Sequence, residues 1–347
     1  MLSQVLQSVQ THTNRLALAA PVFLLVAALT GCKKSDSVTA LGDWRARSGF
    51  EGQARYAAAS FVITTPDSKT LAFVGGGNNG DANRLNDFWN YDATRNTWTQ
   101  VADFGGTARN SAVGFGIGSQ GYVGTGLDAN NNRLNDFYRY DPSPVNKWTK
   151  VTDYPGAPRF SAVAFTINGK GYVGTGYDRT NYYKDFYAYD PTANTWSRIA
   201  SLSGNKRQGA VAFVLNNLGY VVTGNSSTIN QTDVWAYDPT QDTWIEKAKF
   251  TTDETVQRSY GVAFTINGKG YVCNGDGNNT TWEYDPTLDT WVSRNTFDGA
   301  GQGPMRTRGV GFSIGSNGYV TTGQAGSGAP LDDLWQFDPT IPRDDTN

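Results

Sequence analysis

The sequence predicts an all-β fold, a closed ring of six four-stranded sheets of the β-propeller type. Aromatic and β-branched residues alternate in short runs, almost no stretch has a helical period, and 40 of the 347 residues are glycine. One motif recurs six times, and successive copies start 48 to 54 residues apart, a period typical of one propeller blade. The copies begin at Arg55, Arg109, Arg159, Arg207, Arg258 and Arg306.

Each copy contains four strand-like runs joined by recognisable turns. In the third copy they read FSAVAFTI, KGYVGTG, DFYAYD and TWSRI. Asn168-Gly169 between the first two runs is a type I′ hairpin signal, because both residues accept a positive φ. A tryptophan recurs in the fourth run, where a large flat side chain can fill the wedge between neighbouring blades. These tryptophans are Trp98, Trp148, Trp196, Trp244 and Trp291.

The two ends of the repeat array complement each other. The last copy ends after its third run, DLWQFDP, with no fourth run and no tryptophan. The missing tryptophan is found at the other end, as Trp44 in LGDWRARS. We therefore predict that the N-terminal strand completes the C-terminal blade, which removes an exposed sheet edge. This places the propeller at residues 43–340 and a short tail at 341–347.

The repeat signature resembles that of the kelch family and, more loosely, the galactose-oxidase-like propellers. The resemblance covers residues 43–340. It departs from the family at the end of the second strand, where the expected diglycine is present only at Gly75–Gly77 and is elsewhere Gly-Thr-Gly or weaker. In kelch proteins that capture acidic peptides, arginines at the channel mouth do the binding, so the resemblance implies a binding role for such residues here.

The N-terminal segment has the features of an export signal. Arg15 precedes a fourteen-residue apolar core from Leu16 to Leu29, which is shorter than the ~20 residues a membrane span needs. Leu29-Thr30-Gly31-Cys32 resembles a bacterial lipobox, which implies cleavage before Cys32 and lipidation of that residue. We expect a signal peptide at 1–31, a polar tether at 32–42, and lipid anchoring in the bacterial cell envelope, at the outer membrane. Cys273 then has no disulfide partner and is expected to be a buried small hydrophobe.

Strand direction predicts which face of the propeller carries function. The loops between second and third strands and the connections between copies share one face, and they are long and varied. We call this the loop-rich face, and we expect function there. The six motif arginines should lie on it near the channel mouth, as an anion-binding collar. In the alternative interpretation, each arginine pairs with the aspartate that opens the third strand of its blade. The fifth copy has Thr280 in place of this aspartate. Those aspartates are Asp87, Asp136, Asp185, Asp233 and Asp333. The aromatic binding candidates are Tyr56, Phe160, Tyr183 and Tyr260.

Composition excludes several activities. With 29 basic and 31 acidic residues, the chain lacks the charge expected of a nucleic-acid binder. Its one histidine, His12, lies in the predicted signal, so no Ser-His-Asp triad, His-ligated metal site or galactose oxidase activity is expected. We predict a monomeric binding module without cofactor or metal that recognises a glycan, an acidic small molecule or a protein. The alternative is a carbohydrate-active enzyme of the sialic acid mutarotase type, with Glu254 and Arg258 as catalytic candidates.

Overall fold

A computed structural model describes residues 41–80, 83–250, 257–297 and 305–342. These residues form an all-β structure of six four-stranded antiparallel sheets, as the repeat pattern predicts. Within these ranges, the structure contains no helix of the length and apolarity that a membrane span requires.

The sheets follow the chain in order. The N-terminal strand is β1 (Leu41–Arg47). Blade 1 contains β2 (Ala59–Thr64), β3 (Thr70–Gly75), β4 (Phe88–Asp92) and β5 (Thr97–Val101). Blade 2 contains β6 (Val113–Ile117), β7 (Gln120–Gly124), β8 (Phe137–Asp141) and β9 (Lys147–Val151). Blade 3 contains β10 (Val163–Ile167), β11 (Lys170–Gly174), β12 (Phe186–Asp190) and β13 (Thr195–Ile199).

The second half repeats this plan. Blade 4 contains β14 (Val211–Leu215), β15 (Leu218–Val222), β18 (Val234–Asp238) and β19 (Thr243–Lys247), with the small hairpin β16 (Asn225–Ser226) and β17 (Ile229–Asn230). Blade 5 contains β20 (Val262–Ile266), β21 (Lys269–Cys273), β22 (Thr281–Asp285) and β23 (Thr290–Arg294). Blade 6 contains β25 (Val310–Ile314), β26 (Asn317–Thr321) and β28 (Leu334–Pro342), and β24 (Arg306–Thr307) pairs separately with β27 (Gln324–Ala325).

The ring closes through the two ends of the array. β1 is the fourth strand of blade 6 and pairs antiparallel with β28, so that Trp44 lies opposite Phe337. Each innermost strand contacts the innermost strands of both neighbouring blades, including β25 with β2. The Trp44 side chain is fully buried and packs edge-on against Phe297 of blade 5, with ring centroids 4.4 Å apart. The predicted closure by the N-terminal strand is confirmed.

The tryptophans of the fourth strands join neighbouring blades. The indole N–H of Trp148 in blade 2 donates to the carbonyl of Ala102, which follows blade 1, at 3.0 Å. In return, the Ala102 N–H donates to the side chain of Asn146 in blade 2. Trp98, Trp196, Trp244 and Trp291 donate to backbone carbonyls in the same way. The wedge role predicted for these residues therefore includes a hydrogen bond.

The core lies between the sheets and is rich in aromatic side chains. Phe115 and Tyr122 stack with centroids 5.3 Å apart, and equivalent stacked pairs occur in the other blades. Cys273 is a buried free thiol, as expected, and burial raises its pKa to about 12. The hairpin prediction also holds, since Asn168 and Gly169 both have positive φ. The fold thus presents a rigid support beneath the loop-rich face.

Candidate functional site

The six motif arginines form a buried ring beneath the loop-rich face, which we call the arginine ring. In blade 2, Arg109 donates to both carboxylate oxygens of Asp136, at 2.6 and 2.9 Å. It also donates to the carbonyls of Thr107 and Thr125. Arg55, Arg159 and Arg306 hold both oxygens of Asp87, Asp185 and Asp333 in the same way. Arg207 donates to one oxygen of Asp233, at 2.7 Å.

Burial and charge act against each other in these pairs. Burial alone would raise the pKa of Asp87, but the hydrogen bonds and charge of Arg55 outweigh it and hold that pKa below its ordinary value. Asp233 beside Arg207 behaves in the same way. The carboxylates therefore remain ionised partners of enclosed guanidinium groups.

Aromatic rings cover most of the arginine ring from outside. The Cζ atom of Arg109 lies 4.8 Å from the centroid of the Phe104 ring, and similar contacts hold Arg55, Arg159, Arg258 and Arg306. In blade 4 the position corresponding to Phe104 is Leu202, which is fully buried. Arg207 is therefore the one member without an aromatic ring at this position.

Arg258 differs because its copy has Thr280 in place of the aspartate. Arg258 donates to the hydroxyl and the carbonyl of Thr280 and to the carbonyl of Asn274. Burial lowers its pKa to about 10. Arg258 thus keeps the position of the other five with a different set of partners.

The exposure of these arginines decides between the two interpretations of the sequence. An anion-binding collar requires guanidinium groups that a ligand can reach. All six side chains are 0 to 2% exposed, and five are held by aspartates of their own blades. The geometry favours the ion-paired alternative, in which the arginine ring fastens the inner strand of each blade to its third strand.

A second ring, formed by backbone, surrounds the channel mouth. The residue two places after each arginine has a left-handed φ between 52° and 60°, which delays the start of the inner strand by two further residues. The backbone N–H of this residue donates to the carbonyl of the corresponding residue in the preceding blade, at 2.7 to 3.0 Å. The N–H of Ala57 donates to the carbonyl of Arg308, which closes the circle. We call these six residues the rim: Ala57, Ser111, Ser161, Gly209, Tyr260 and Arg308.

The rim side chains are unequal although the backbone is repeated. Four are small, and the two large ones, Tyr260 and Arg308, are neighbours. The Cζ atom of Arg308 lies 4.3 Å from the centroid of the Tyr260 ring. That ring extends over Gly209, where a Cβ atom would come within 2.8 Å of it. Burial raises the pKa of the Tyr260 hydroxyl, and Arg308 and Ser161 partly offset this effect. The mouth is therefore partly covered by a cation stacked on an aromatic ring.

Polar and aromatic side chains surround the rim. Tyr56 forms a backbone β-bridge with Asn78, and Phe160 forms one with Tyr177. The predicted residues Tyr56 and Phe160 therefore lie beside the mouth. Phe160 packs edge-on against Tyr177, and Tyr177 stacks on Tyr182 with centroids 4.4 Å apart. Tyr183 lies farther out, where its ring covers Arg159 at 4.0 Å and its hydroxyl donates to Asp178. Of the four predicted aromatic residues, Tyr260 alone belongs to the rim itself.

The channel below the rim is narrow and uncharged. Small side chains of the inner strands line it in layers, and its two cavities measure about 400 and 200 Å³. The first layer contains Ala58, Ala112, Ala162, Ala210, Gly261 and Gly309. Deeper in the channel the lining includes the hydroxyl residues Ser60, Thr166, Thr265 and Ser313, but no ionisable side chain lines either cavity. Any charged group for recognition at the centre of this face must therefore come from the mouth.

Some sequence-based candidates cannot be placed. Glu254 and Cys32 lie outside the described residues. Among the residues that the structure does describe, no group of three metal-ligating side chains comes together. Conversely, Arg308 was not among the candidates, although a signal was available: the column two places after each arginine reads Ala, Ser, Ser, Gly, Tyr and Arg.

Comparisons with known proteins agree with this architecture. The family described as the KLHDC2/KLHL20/DRC7 Kelch-repeats domain matches residues 64–275, more than half of the chain. A solved structure titled "Structure of YjhT" is similar with a TM-score of 0.68 and 15% sequence identity, over 82% of this chain and 95% of that one. No curated protein matches the sequence. The structural likeness at this identity concerns the fold.

Proposed function

Since the chain belongs to the Kelch-repeat family, we propose that it is a binding module whose ligand lies over the channel mouth on the loop-rich face. The ligand class that the mouth fits best is a glycan. Aromatic rings next to amide and hydroxyl groups suit the apolar and polar sides of a sugar ring. Tyr260, Phe160 and Tyr56 supply rings, and Gln208, next to Gly209 of the rim, supplies an amide.

The unequal rim is the observation that carries this proposal. Fold closure needs only the backbone of the rim, as Ala57, Ser111, Ser161 and Gly209 demonstrate. A left-handed φ is unfavourable for a bulky residue, yet Tyr260 and Arg308 adopt φ of 54° and 55°. Strained residues of this kind cluster at binding sites, where the surrounding structure holds them.

Replacing either large rim residue with the serine of a sibling blade tests the proposal. We expect Tyr260→Ser and Arg308→Ser to weaken binding to the glycans that the wild-type protein selects on a glycan array by about tenfold or more. Loss of a ring–sugar contact or a charge-assisted hydrogen bond of ~1.5 kcal/mol has this effect. Titration calorimetry with the selected glycan gives the Kd values.

Ser111→Ala, across the rim from Tyr260, is the matched control and should bind normally. If all variants bind the selected glycan with equal affinity, the binding site does not lie at the mouth. The enzyme alternative is separable in the same samples, because a mutarotase would interconvert the anomers of sialic acid and Glu254→Gln would abolish the turnover. Absence of any glycan binding would overturn the proposal itself.

We further propose that the protein is anchored to the outer membrane through lipid on Cys32. The apolar segment from Leu16 to Leu29 followed by Leu-Thr-Gly-Cys supports this, and firm anchoring follows from more than one acyl chain. In cell fractionation, the full-length protein should sediment with the envelope. Cys32→Ser should abolish the incorporation of labelled palmitate, and unchanged labelling would contradict the assignment.

A further inference from the structure

A separate cavity opens on the loop-rich face where blade 3 meets blade 4. It measures about 590 Å³ and is lined by the segment 182–185, by Arg198 and by the segment that leads into blade 4. We call it the blade 3 cleft. Three cations line it, Lys184, Arg198 and Lys206, and all three side chains are exposed.

No carboxylate neutralises these three cations. Among the described residues, none of the three charged side-chain groups has an ion pair or a hydrogen bond, whereas Asp185, which also lines the cleft, is occupied by Arg159 at 2.6 and 2.9 Å. The cleft therefore carries an uncompensated positive charge. Exposed cations in such a concave site attract anions, and the effect is screened by salt.

The other blades show that this charge is not required by the fold. In blade 2 the residue corresponding to Arg198 is Lys150, which pairs with Asp153 at 3.1 Å. In blade 1 the pair is Gln100 and Asp103. Blade 3 has Ser201 in place of that aspartate. Compared with blades 1 and 2, Ser201 therefore removes the partner of a cation and adds a hydroxyl to the cleft.

Both lysines are likewise peculiar to this cleft. The residue before the third-strand aspartate is Lys184 here and neutral or acidic in the other copies, namely Asn86, Asn135, Thr232, Asn279 and Asp332. The residue before the motif arginine is Lys206 here and neutral elsewhere, namely Ala54, Ala108, Pro158, Gln257 and Met305. Two independent positions, those of Lys184 and Lys206, thus depart from the repeat in the same direction and at the same place.

The floor of the cleft is closely packed and hydrogen-bonded. At Gly204 a Cβ atom would lie 2.4 Å from the indole nitrogen of Trp235 and 2.5 Å from a carboxylate oxygen of Asp233. The Trp235 N–H donates to that same oxygen at 2.7 Å, and Arg207 donates to it as well. A ligand would therefore meet a preformed surface, which reduces the ordering cost of binding.

We propose that the blade 3 cleft binds the anionic groups of an acidic glycan, that is, a saccharide chain bearing carboxylate or sulfate groups. This inference rests on the proposed function and names its ligand class. The Arg198 guanidinium can hold a carboxylate or sulfate through two parallel hydrogen bonds, and the lysines add point charges. Tyr182, Ser201 and Ser203 supply partners for sugar hydroxyls. Three cations are fewer than the four to eight of a typical anionic-lipid site.

The test compares dextran sulfate with uncharged dextran of the same chain length. The cleft variant is Lys184→Asn, Arg198→Gln and Lys206→Ala, which installs the residues of blade 1. The control variant is Arg95→Gln, Lys147→Asn and Lys170→Ala, which removes the same charge from the opposite face. We expect the wild-type protein to bind dextran sulfate in a salt-dependent manner. The cleft variant should bind about tenfold more weakly or worse, and the control should remain within about twofold, since charge-assisted hydrogen bonds contribute such factors.

Three results would overturn the inference. In the first, the wild-type protein does not bind dextran sulfate. In the second, the cleft variant and the control variant lose the same amount of affinity for dextran sulfate. In the third, the cleft variant binds vesicles of anionic lipid more weakly than the wild-type protein does but binds dextran sulfate equally well. If dextran sulfate fails while the rim variants still lose array glycans, the proposed function stands and the cleft assignment falls. If the wild-type protein binds no array glycan, the proposed function falls. All variants should keep the wild-type unfolding temperature, because the substituted side chains are exposed.

Discussion

The arginine ring and the rim lie two residues apart in every copy, yet they behave in opposite ways. The ring has arginine six times and an aspartate partner five times, and it is buried. The rim has one backbone geometry six times and five different side chains. Within one chain, repetition marks what the propeller needs to close, and departure from repetition marks what it does not need. The departures at Tyr260, Arg308 and the blade 3 cleft are therefore the sites to examine for function.

Breaking one member of the arginine ring should have the largest effect on stability. Asp136→Asn would leave the charge of Arg109 buried without its carboxylate. Removing one partner of a buried ion pair typically costs about 3–5 kcal/mol, because the remaining charge is uncompensated. Equilibrium unfolding in urea measures this loss as a lower transition midpoint.

A surface pair provides the control for that measurement. Lys150 and Asp153 lie 3.1 Å apart and both are about half exposed. Asp153→Asn should therefore cost less than about 1 kcal/mol. If Asp136→Asn costs no more than Asp153→Asn, the arginine ring is not the structural element that the comparison takes it to be.

The framework was predictable from the sequence because it is repeated. Six copies of four runs, the loop-rich face and the pairing of Trp44 with the last blade all follow from spacing and turn residues, and the structure confirms the fold and its closure. The aspartates as arginine partners were one of two alternatives. Sequence alone could not choose between them, because burial depends on rings such as Phe104 that close over the guanidinium from outside.

The sites themselves were less predictable. A side chain at the rim projects over the mouth only because its backbone is left-handed, and a strand pattern does not reveal that conformation in advance. Arg308 therefore resembled any other loop arginine. The blade 3 cleft was hidden for another reason. Lys184, Arg198 and Lys206 lie on three different segments that only the folded blade brings to one cavity.

Substitution of a rim side chain should change the free energy of unfolding very little. This is the smallest effect that we expect, and it contrasts with the large effect expected for the arginine ring. Tyr260→Ser removes a cation–π contact with Arg308 between two partly buried side chains, worth about 0.5–2 kcal/mol. It also removes a bulky side chain from a position with a left-handed backbone, and this gain offsets part of that loss. We expect the free energy of unfolding to change by less than about 1 kcal/mol, as is usual away from the core. The measurement is urea unfolding beside Asp136→Asn. A loss of several kcal/mol for Tyr260→Ser would assign this residue to the framework, and weaker glycan binding in that variant would then report damage to the fold rather than a lost contact.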